Sequence, residues 1–236
     1  MTFVHFIHVE CQDAGRTIAP ERLEQVRQVV RSIPALQRGL FYLPAQARDY
    51  YTNDGPSPRL ALQLYYARLE ELEDTIRADG ILQQLAQPSL WQDLPGVKIN
   101  HQVMYARPFP VADPQPQPDA DSPMCAYLVH YPGYAENFND WLNHYLDFHP
   151  QIMHDFPRIR EVEIYTRVDW RDAMPWERVE HMQRNRLIFD SPAALEAGLN
   201  GPIRHRMRAD FEAFPPFHGS NIHYPMLLQE LVGKSS

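Results

Sequence analysis

Apolar and polar residues alternate along this chain in short blocks, and longer blocks of helical period separate them in a regular order. Residues 3–10 (FVHFIHVE) have the β-branched and aromatic content of a strand. Residues 20–32 (PERLEQVRQVVRS) repeat apolar positions at helical spacing, with proline at the start. Residues 36–43 and 60–67 then read as strands, 69–85 as a helix rich in Leu, Glu and Ala, and 97–107 as a final strand. The series recurs downstream. Strands are predicted at 125–131, 159–168, 184–189 and 221–228, and helices at 136–148 and 192–214, the latter interrupted near Gly201-Pro202. Each series has the order βαββαβ.

Between the two series lies PFPVADPQPQPDADSP (108–123), rich in Pro and Asp and short of apolar residues, which reads as an extended surface linker. It divides the chain into an N-terminal half, 1–107, and a C-terminal half, 124–236. Sequence echoes point to an internal duplication. FIHV at 6–9 matches LVHY at 128–131, INH at 99–101 resembles NIH at 221–223, and YARLEELE at 66–73 lies over FDSPAALE at 189–196. His8 and His101 are 93 residues apart, and so are His130 and His223. A βαββαβ unit forms a four-stranded antiparallel sheet with both helices on one face, the ferredoxin-like arrangement. Its bare face is costly to expose, at about 25 cal/mol per Å². The expected fold is therefore α+β, with two ferredoxin-like halves packed sheet to sheet as an α+β barrel within one chain. A cavity is expected between the sheets.

Composition narrows the function classes. The 236 residues carry 22 Lys and Arg against 30 Asp and Glu, a formal charge of -8, which disfavours nucleic acid as a partner. Apolar runs fall far short of the ~20 residues that span a bilayer, so no membrane partner is expected. The N-terminus has no secretory pattern, and only Cys11 and Cys125 occur, with no CxxC. A cytoplasmic location follows as an expectation. Dinucleotide, P-loop, zincin and α/β-hydrolase motifs are all absent.

The candidate chemistry is carried by histidine and tyrosine. In WLNHYLDFHPQIMHDFPR (141–158), His144, His149 and His154 are spaced by five, which turns neighbours about 140° apart on a helix, so no metal site is predicted. Pro150 is expected to kink or end that helix. Tyr145-Leu-Asp-Phe-His149-Pro150, with Pro157 eight residues after the histidine, resembles the helix signature of EthD-like proteins of the dimeric α+β barrel superfamily. LIFDSPAALEAGLNGPIRHRMRADFEAF (187–214) is similar to that family's second helix, including the late Ala-Asp before Phe.

The resemblance implies a small-molecule enzyme or ligand binder, often of aromatic, lactone or ether catabolism. Related barrels include cofactor-free monooxygenases, cyclases, isomerases and haem proteins. The leading expectation is a cofactor-independent lyase, isomerase or cyclase acting on an oxygenated ring. A monooxygenase, a haem protein and a non-catalytic binder are the alternatives. His149 is the first candidate acid/base, with Asp147 and Asp155 nearby in sequence and Tyr145 or a strand histidine as its expected partner. His130 and His223 are the second, as a pair facing the barrel interior alongside His8 and His101. Tyr145, Tyr131, Tyr165, Trp141 and Arg186 are expected to contact substrate, Arg186 through a carboxylate. Other strand tyrosines, Tyr42, Tyr65, Tyr66 and Tyr127, offer hydroxyls of the same kind. The loop 169–180, with Trp170 and Trp176, is a candidate lid. No cofactor is expected, and the assembly is expected to be a monomer or a homodimer through outer helices.

Overall fold

The computed structural model describes residues 1–13, 15–116 and 123–233. The first half runs β1 (Phe3–Glu10), α1 (Pro20–Arg31), β2 (Arg38–Pro44), β3 (Leu60–Tyr66), α2 (Leu69–Ile76) and β4 (Lys98–Phe109). The second runs β5 (Cys125–Tyr131), a short β6 (Gly133–Ala135), α3 (Phe138–Met153), β7 (Ile159–Arg167), a two-residue β8 (Glu177–Arg178) and β9 (Gln183–Phe189). It ends with α4 (Pro192–Leu199), α5 (Pro202–Glu212), β10 (Phe217–Gly219) and β11 (Ile222–Val232).

Eight of these strands close into one antiparallel barrel. Within the halves the strand orders are β4-β1-β3-β2 and β11-β5-β9-β7. Two seams join them edge to edge: β2 with β11, from Pro44 opposite Met226, and β4 with β7, from Phe109 opposite Val162. The expected barrel is one continuous closed sheet, in which the long strands β4 and β11 satisfy edge groups that would otherwise stay unpaired.

Side-chain alternation divides the core three ways. Val4, Phe6, Leu40, Tyr42, Tyr65, Met104, Leu128, Tyr165 and Ile188 point into the barrel. Ile7, Val9, Leu62 and Leu64 point out of it and pack with α1 and α2, while Tyr127, Val129, Leu187 and Phe189 do the same against α3, α4 and α5. Strands buried on both faces account for the continuous burial of β3, β5 and β9. An eight-stranded barrel is just wide enough for its own side chains, and here they fill it. The cavity expected between the sheets lies elsewhere, outside the barrel wall.

Local differences from the sequence reading have physical causes. The helix expected over 69–85 stops at Ile76 and resumes as 3-10 turns at Ile81–Ala86 and Pro88–Trp91. The chain passes so close to itself at Gly80 that a Cβ there would sit 2.3 Å from the Thr75 carbonyl oxygen. α3 runs through Pro150 to Met153, since a proline in the last turn forfeits only one hydrogen bond. Pro108 and Phe109 of the expected linker belong to β4, and Val111 packs against the second-half core. Residues 117–122 of that linker lie outside the described residues.

Candidate active site

A cavity lies between the outer face of β5, β9 and β11 and the helices of the second half. Tyr127, Tyr131, Asn185, Leu187 and His223 line it from the sheet, and His149, Arg204, Met207 and Phe211 from α3 and α5. The helices reach these positions by periodicity. Trp141, Tyr145, His149 and Met153 recur every four residues and form the buried stripe of α3, with Asn137 capping its first turn. Pro202 starts α5 directly after Gly201, and Arg204, Met207 and Phe211 then fall on one face.

Asp210 of α5 orders the histidines of α3. Its Oδ2 accepts a hydrogen bond from His149 Nδ1 at 2.6 Å, and its Oδ1 lies 3.3 Å from His144 Nε2. This carboxylate takes the place expected for Tyr145 or a strand histidine. Tyr145 and Phe214 pack on the His149 ring, at centroid distances of 4.8 and 5.0 Å. With Nδ1 engaged, Nε2 is the basic nitrogen of a ring that borders the cavity, and no other described residue hydrogen-bonds it. Burial pushes the His149 pKa below its ordinary value despite the opposing Asp210, so the ring is neutral near pH 7. Burial would raise the Asp210 pKa, but the hydrogen bond and charge of His149 hold it below the usual range. The result is a neutral imidazole backed by a carboxylate, which favours the imidazolium once a proton is taken.

The mouth of the cavity is closed by the loop between β2 and β3, which comes from the other half of the chain. Asp49 accepts from the Tyr127 hydroxyl at 2.8 Å and from Arg204 Nε at 2.9 Å. Asp54 accepts from His223 at both its backbone N, 2.9 Å, and its Nδ1, 2.7 Å. Burial would raise the Asp54 pKa, but these bonds hold it below the ordinary value. His223 stacks on Tyr127 at 5.2 Å. In this closed arrangement the free space is about 40 Å³, room for a few water molecules. An outer cleft of about 570 Å³ adjoins it through the shared walls of Tyr127 and His223, and is lined by Gln46, Arg48, Asn53, Ser57 and Glu196.

The first half holds a matching arrangement that is filled. His101 on β4, 122 residues before His223, lies 3.1 Å from Asp172 of the loop between β7 and β9. Its Nδ1 is 3.0 Å from His5 Nε2, and Trp170 and Trp176 pack on both rings. Each half thus covers the other with its β-hairpin loop, and each loop sends an aspartate to a histidine on the partner half's last strand. The loop over 169–180 covers this filled counterpart and not the second-half cavity.

Of the residues singled out from sequence, His149, His223 and Tyr131 line the cavity. Tyr145 and Trp141 stand behind it in the stripe of α3, Tyr145 accepting a 2.6 Å hydrogen bond from Asn185. His130, Tyr165 and Arg186 point into the barrel. His130 and His223 therefore do not form a pair. Ile222 and not His223 stands opposite His130, and a one-residue offset sends the two rings to opposite faces. His8 and His101 part in the same way, because His101 stands opposite Ile7. Arg186 donates to Glu161 and, at 3.0 Å, to Glu163, which also accepts from Tyr165 at 2.7 Å and Tyr65 at 2.8 Å. It is neutralised internally and cannot serve a substrate carboxylate. Asp49, Asp54 and Arg204 were missed by the sequence reading. Asp210 stands in the Ala-Asp-Phe run at 209–211, the one signal that marked it. Among the described residues no group of three or more His, Cys, Asp or Glu is placed to hold a metal ion, and no helix is long and apolar enough to cross a membrane.

No family model matches the chain, and no curated protein matches it. Solved structures do. An anthrone oxidase-like protein superposes with a TM-score of 0.58 at 12% identity, over 100% of this chain and 95% of that one. A presumptive monooxygenase of Fusobacterium nucleatum gives 0.57 at 8%, over 97% and 93%, and one of Lactobacillus acidophilus gives 0.53 at 9%, over 100% and 98%. These structures share the fold of this chain, an α+β arrangement around a closed eight-stranded antiparallel barrel.

Proposed function

We propose that this protein is a small-molecule enzyme in which His149 removes a proton from an oxygenated ring substrate held between the sheet and α3 and α5. The observation that carries this is the 2.6 Å bond from His149 Nδ1 to Asp210, on a neutral buried ring that borders the cavity. Such a group contributes about 10²–10⁴ to a rate. Arg204 and Asn185 supply donors for the oxygen of a ketone, lactone or phenol as negative charge develops on it. Substrate enters from the outer cleft when Asp49 releases Arg204 and Tyr127, and the loop closes over it.

The fate of the deprotonated substrate sets the reaction class. Return of the proton to another carbon makes an isomerase, and departure of a leaving group makes a lyase. The second reading is oxidation. A ring methylene that has lost a proton reacts with O₂, and CH₂ plus O₂ yields C=O plus H₂O. The similarity to structures named for anthrone oxidation and monooxygenation favours that branch. We read the chain as an internal duplication of an EthD-like, ferredoxin-like unit. The second half is the active copy, and the barrel is complete within one chain. The two free thiols, Cys11 and Cys125, suit a reducing cytoplasm.

The test is a panel of small ring ketones, lactones and anthrone-like phenols incubated in D₂O, with exchange at carbon read by NMR and oxygen uptake read by electrode. Wild-type protein should exchange or convert at least one member, and His149→Ala should be slower by about 10²–10⁴. His149→Gln separates positioning from proton transfer, because Gln cannot titrate. An active His149→Ala would overturn the assignment. Binding without any exchange would make the protein a ligand carrier. Turnover only in air, with stoichiometric O₂ uptake, selects the oxidative branch.

A further inference from the structure

Two histidines border the inner cavity, one on each wall, and each has an aspartate at its Nδ1. His149 stands on α3 in the helical wall, backed by Asp210. His223 stands on β11 in the sheet wall, and its Nδ1 lies 2.7 Å from Asp54 Oδ2. The same oxygen accepts the His223 backbone N–H at 2.9 Å, and Tyr127 stacks on the ring at 5.2 Å. A carboxylate so placed orients the ring and offsets its charge when Nε2 also carries a proton. No described residue hydrogen-bonds that Nε2.

Holding the covering loop in place does not require a free nitrogen. His101, the counterpart of His223, meets Asp172 at 3.1 Å through Nε2 and His5 at 3.0 Å through Nδ1, and Trp170 and Trp176 pack on its ring. His223 has open space on two sides instead. It borders the inner cavity together with His149, and also the outer cleft of about 570 Å³, which His149 does not line. A proton on His223 is therefore renewed from the cleft while substrate covers His149.

We propose that His223, oriented by Asp54, is the acid partner of His149 and delivers a proton to the substrate from the opposite wall. The proposal rests on the reading of His149 as base and commits it to isomerisation of a β,γ-unsaturated ring ketone or lactone. His149 takes a proton from the α-carbon, and the electron pair of that C–H bond moves toward the carbonyl oxygen beside Arg204 and Asn185. His223 Nε2 then gives its proton to the γ-carbon, where a C–H bond forms as the double bond moves from β,γ to α,β. One proton leaves the substrate and one enters. His149 ends protonated and His223 neutral, and solvent resets both when the loop opens. Because Asp54 belongs to the loop between β2 and β3, the acid is complete only while that loop is closed.

The test uses full-length protein with 3-cyclohexenone and α-angelica lactone, each deuterated at the α-carbon, in H₂O. Ultraviolet absorbance reads the conjugated product, and NMR reads the label. Wild-type product should carry solvent hydrogen at the γ-carbon and no deuterium there. His223→Gln should lower conversion by about 10²–10⁴, while exchange at the α-carbon, which His149 catalyses, falls by less than about tenfold. If that variant does not fold, Asp54→Asn should show the same split in weaker form, and the wild-type label decides independently of either. Deuterium carried from the α- to the γ-carbon overturns the proposal and leaves His149 as the sole proton carrier. Conversion by His223→Gln at the wild-type rate, or an equal loss of conversion and exchange, also overturns it. Wild-type protein that neither exchanges nor converts either compound overturns the reading of His149 as well.

Discussion

Acidification should unfold this protein through its histidines well before its carboxylates matter. His5, His8, His101, His130, His149 and His181 all have pKa values held below their ordinary value, burial being the first cause in each, and that of His181 falls to about 3. In the unfolded chain each titrates near pH 6.5. Below that pH the unfolded state takes up protons that the folded state refuses, so stability is full above about 6.5 and is lost as pH falls. One such group contributes a slope of up to ~1.4 kcal/mol per pH unit, and six acting together approach ~8 kcal/mol per unit. Against a total stability of ~5–15 kcal/mol, an acid midpoint near pH ~5 is expected. Asp54 and Asp210, whose pKa values are also lowered, add to this only at pH values below their unfolded range. Urea unfolding at several pH values between 8 and 5 measures the effect. The unfolding free energy should be level from 8 to 7 and then fall steeply, and His8→Phe should remove about one proton from the slope. A stability that stays level down to pH 5 would refute the argument, because it would mean that these rings accept protons in place.

Asp210→Asn keeps the shape of the dyad but removes its charge. It should lower kcat/KM by about 10²–10⁴ and, with burial unopposed, move the His149 pKa further down, as ¹⁵N NMR would show. An unchanged or higher pKa would separate Asp210 from His149. Glu163→Ala strips one partner from buried Arg186 and the acceptor from Tyr65 and Tyr165, at a cost of ~3–5 kcal/mol in urea unfolding. Glu163→Leu combined with Arg186→Met should regain most of that loss, and a double variant as unstable as the single one would contradict it. Trp170→Ala removes the ring that fills the space around His101, at ~3–5 kcal/mol, or about 6–20 °C in Tm. A loss of under 1 kcal/mol would mean that the first-half space collapses without it.

The element order was readable because helical and strand periods are local signals. Facing was not. Whether a strand histidine points into the barrel depends on a register that shifts by one residue between partner strands, and β5 is buried on both sides, so no polar face marks its outside. His149 was legible because it stands in the Tyr145–Pro150 run that resembles the EthD-like helix signature. Asp49 and Asp54 were not, since they sit in an ordinary polar connection, RDYYTNDGPSP, and acquire a role only when it crosses to the other half. Arg186 misled for a related reason. An arginine on a strand suggests a ligand until the carboxylates of the neighbouring strand, Glu161 and Glu163, are seen beside it.

The two seams of the barrel also govern how the chain can be made. β4 finds its second neighbour, β7, about fifty residues later, and β2 must wait for β11, the last strand of the chain. During synthesis, which runs from the N-terminus, the first half therefore emerges with two open strand edges and an uncovered inner face carrying Phe6, Tyr42 and Tyr65. Those edges are templates for any passing strand, including one from another nascent copy, until residues 222–232 leave the ribosome. Slowing translation of the second half, or truncating the chain before β11, should send the product into aggregates or strand-exchanged dimers. Closure by the final strand thus makes yield depend on the timing of synthesis as much as on the stability of the finished barrel.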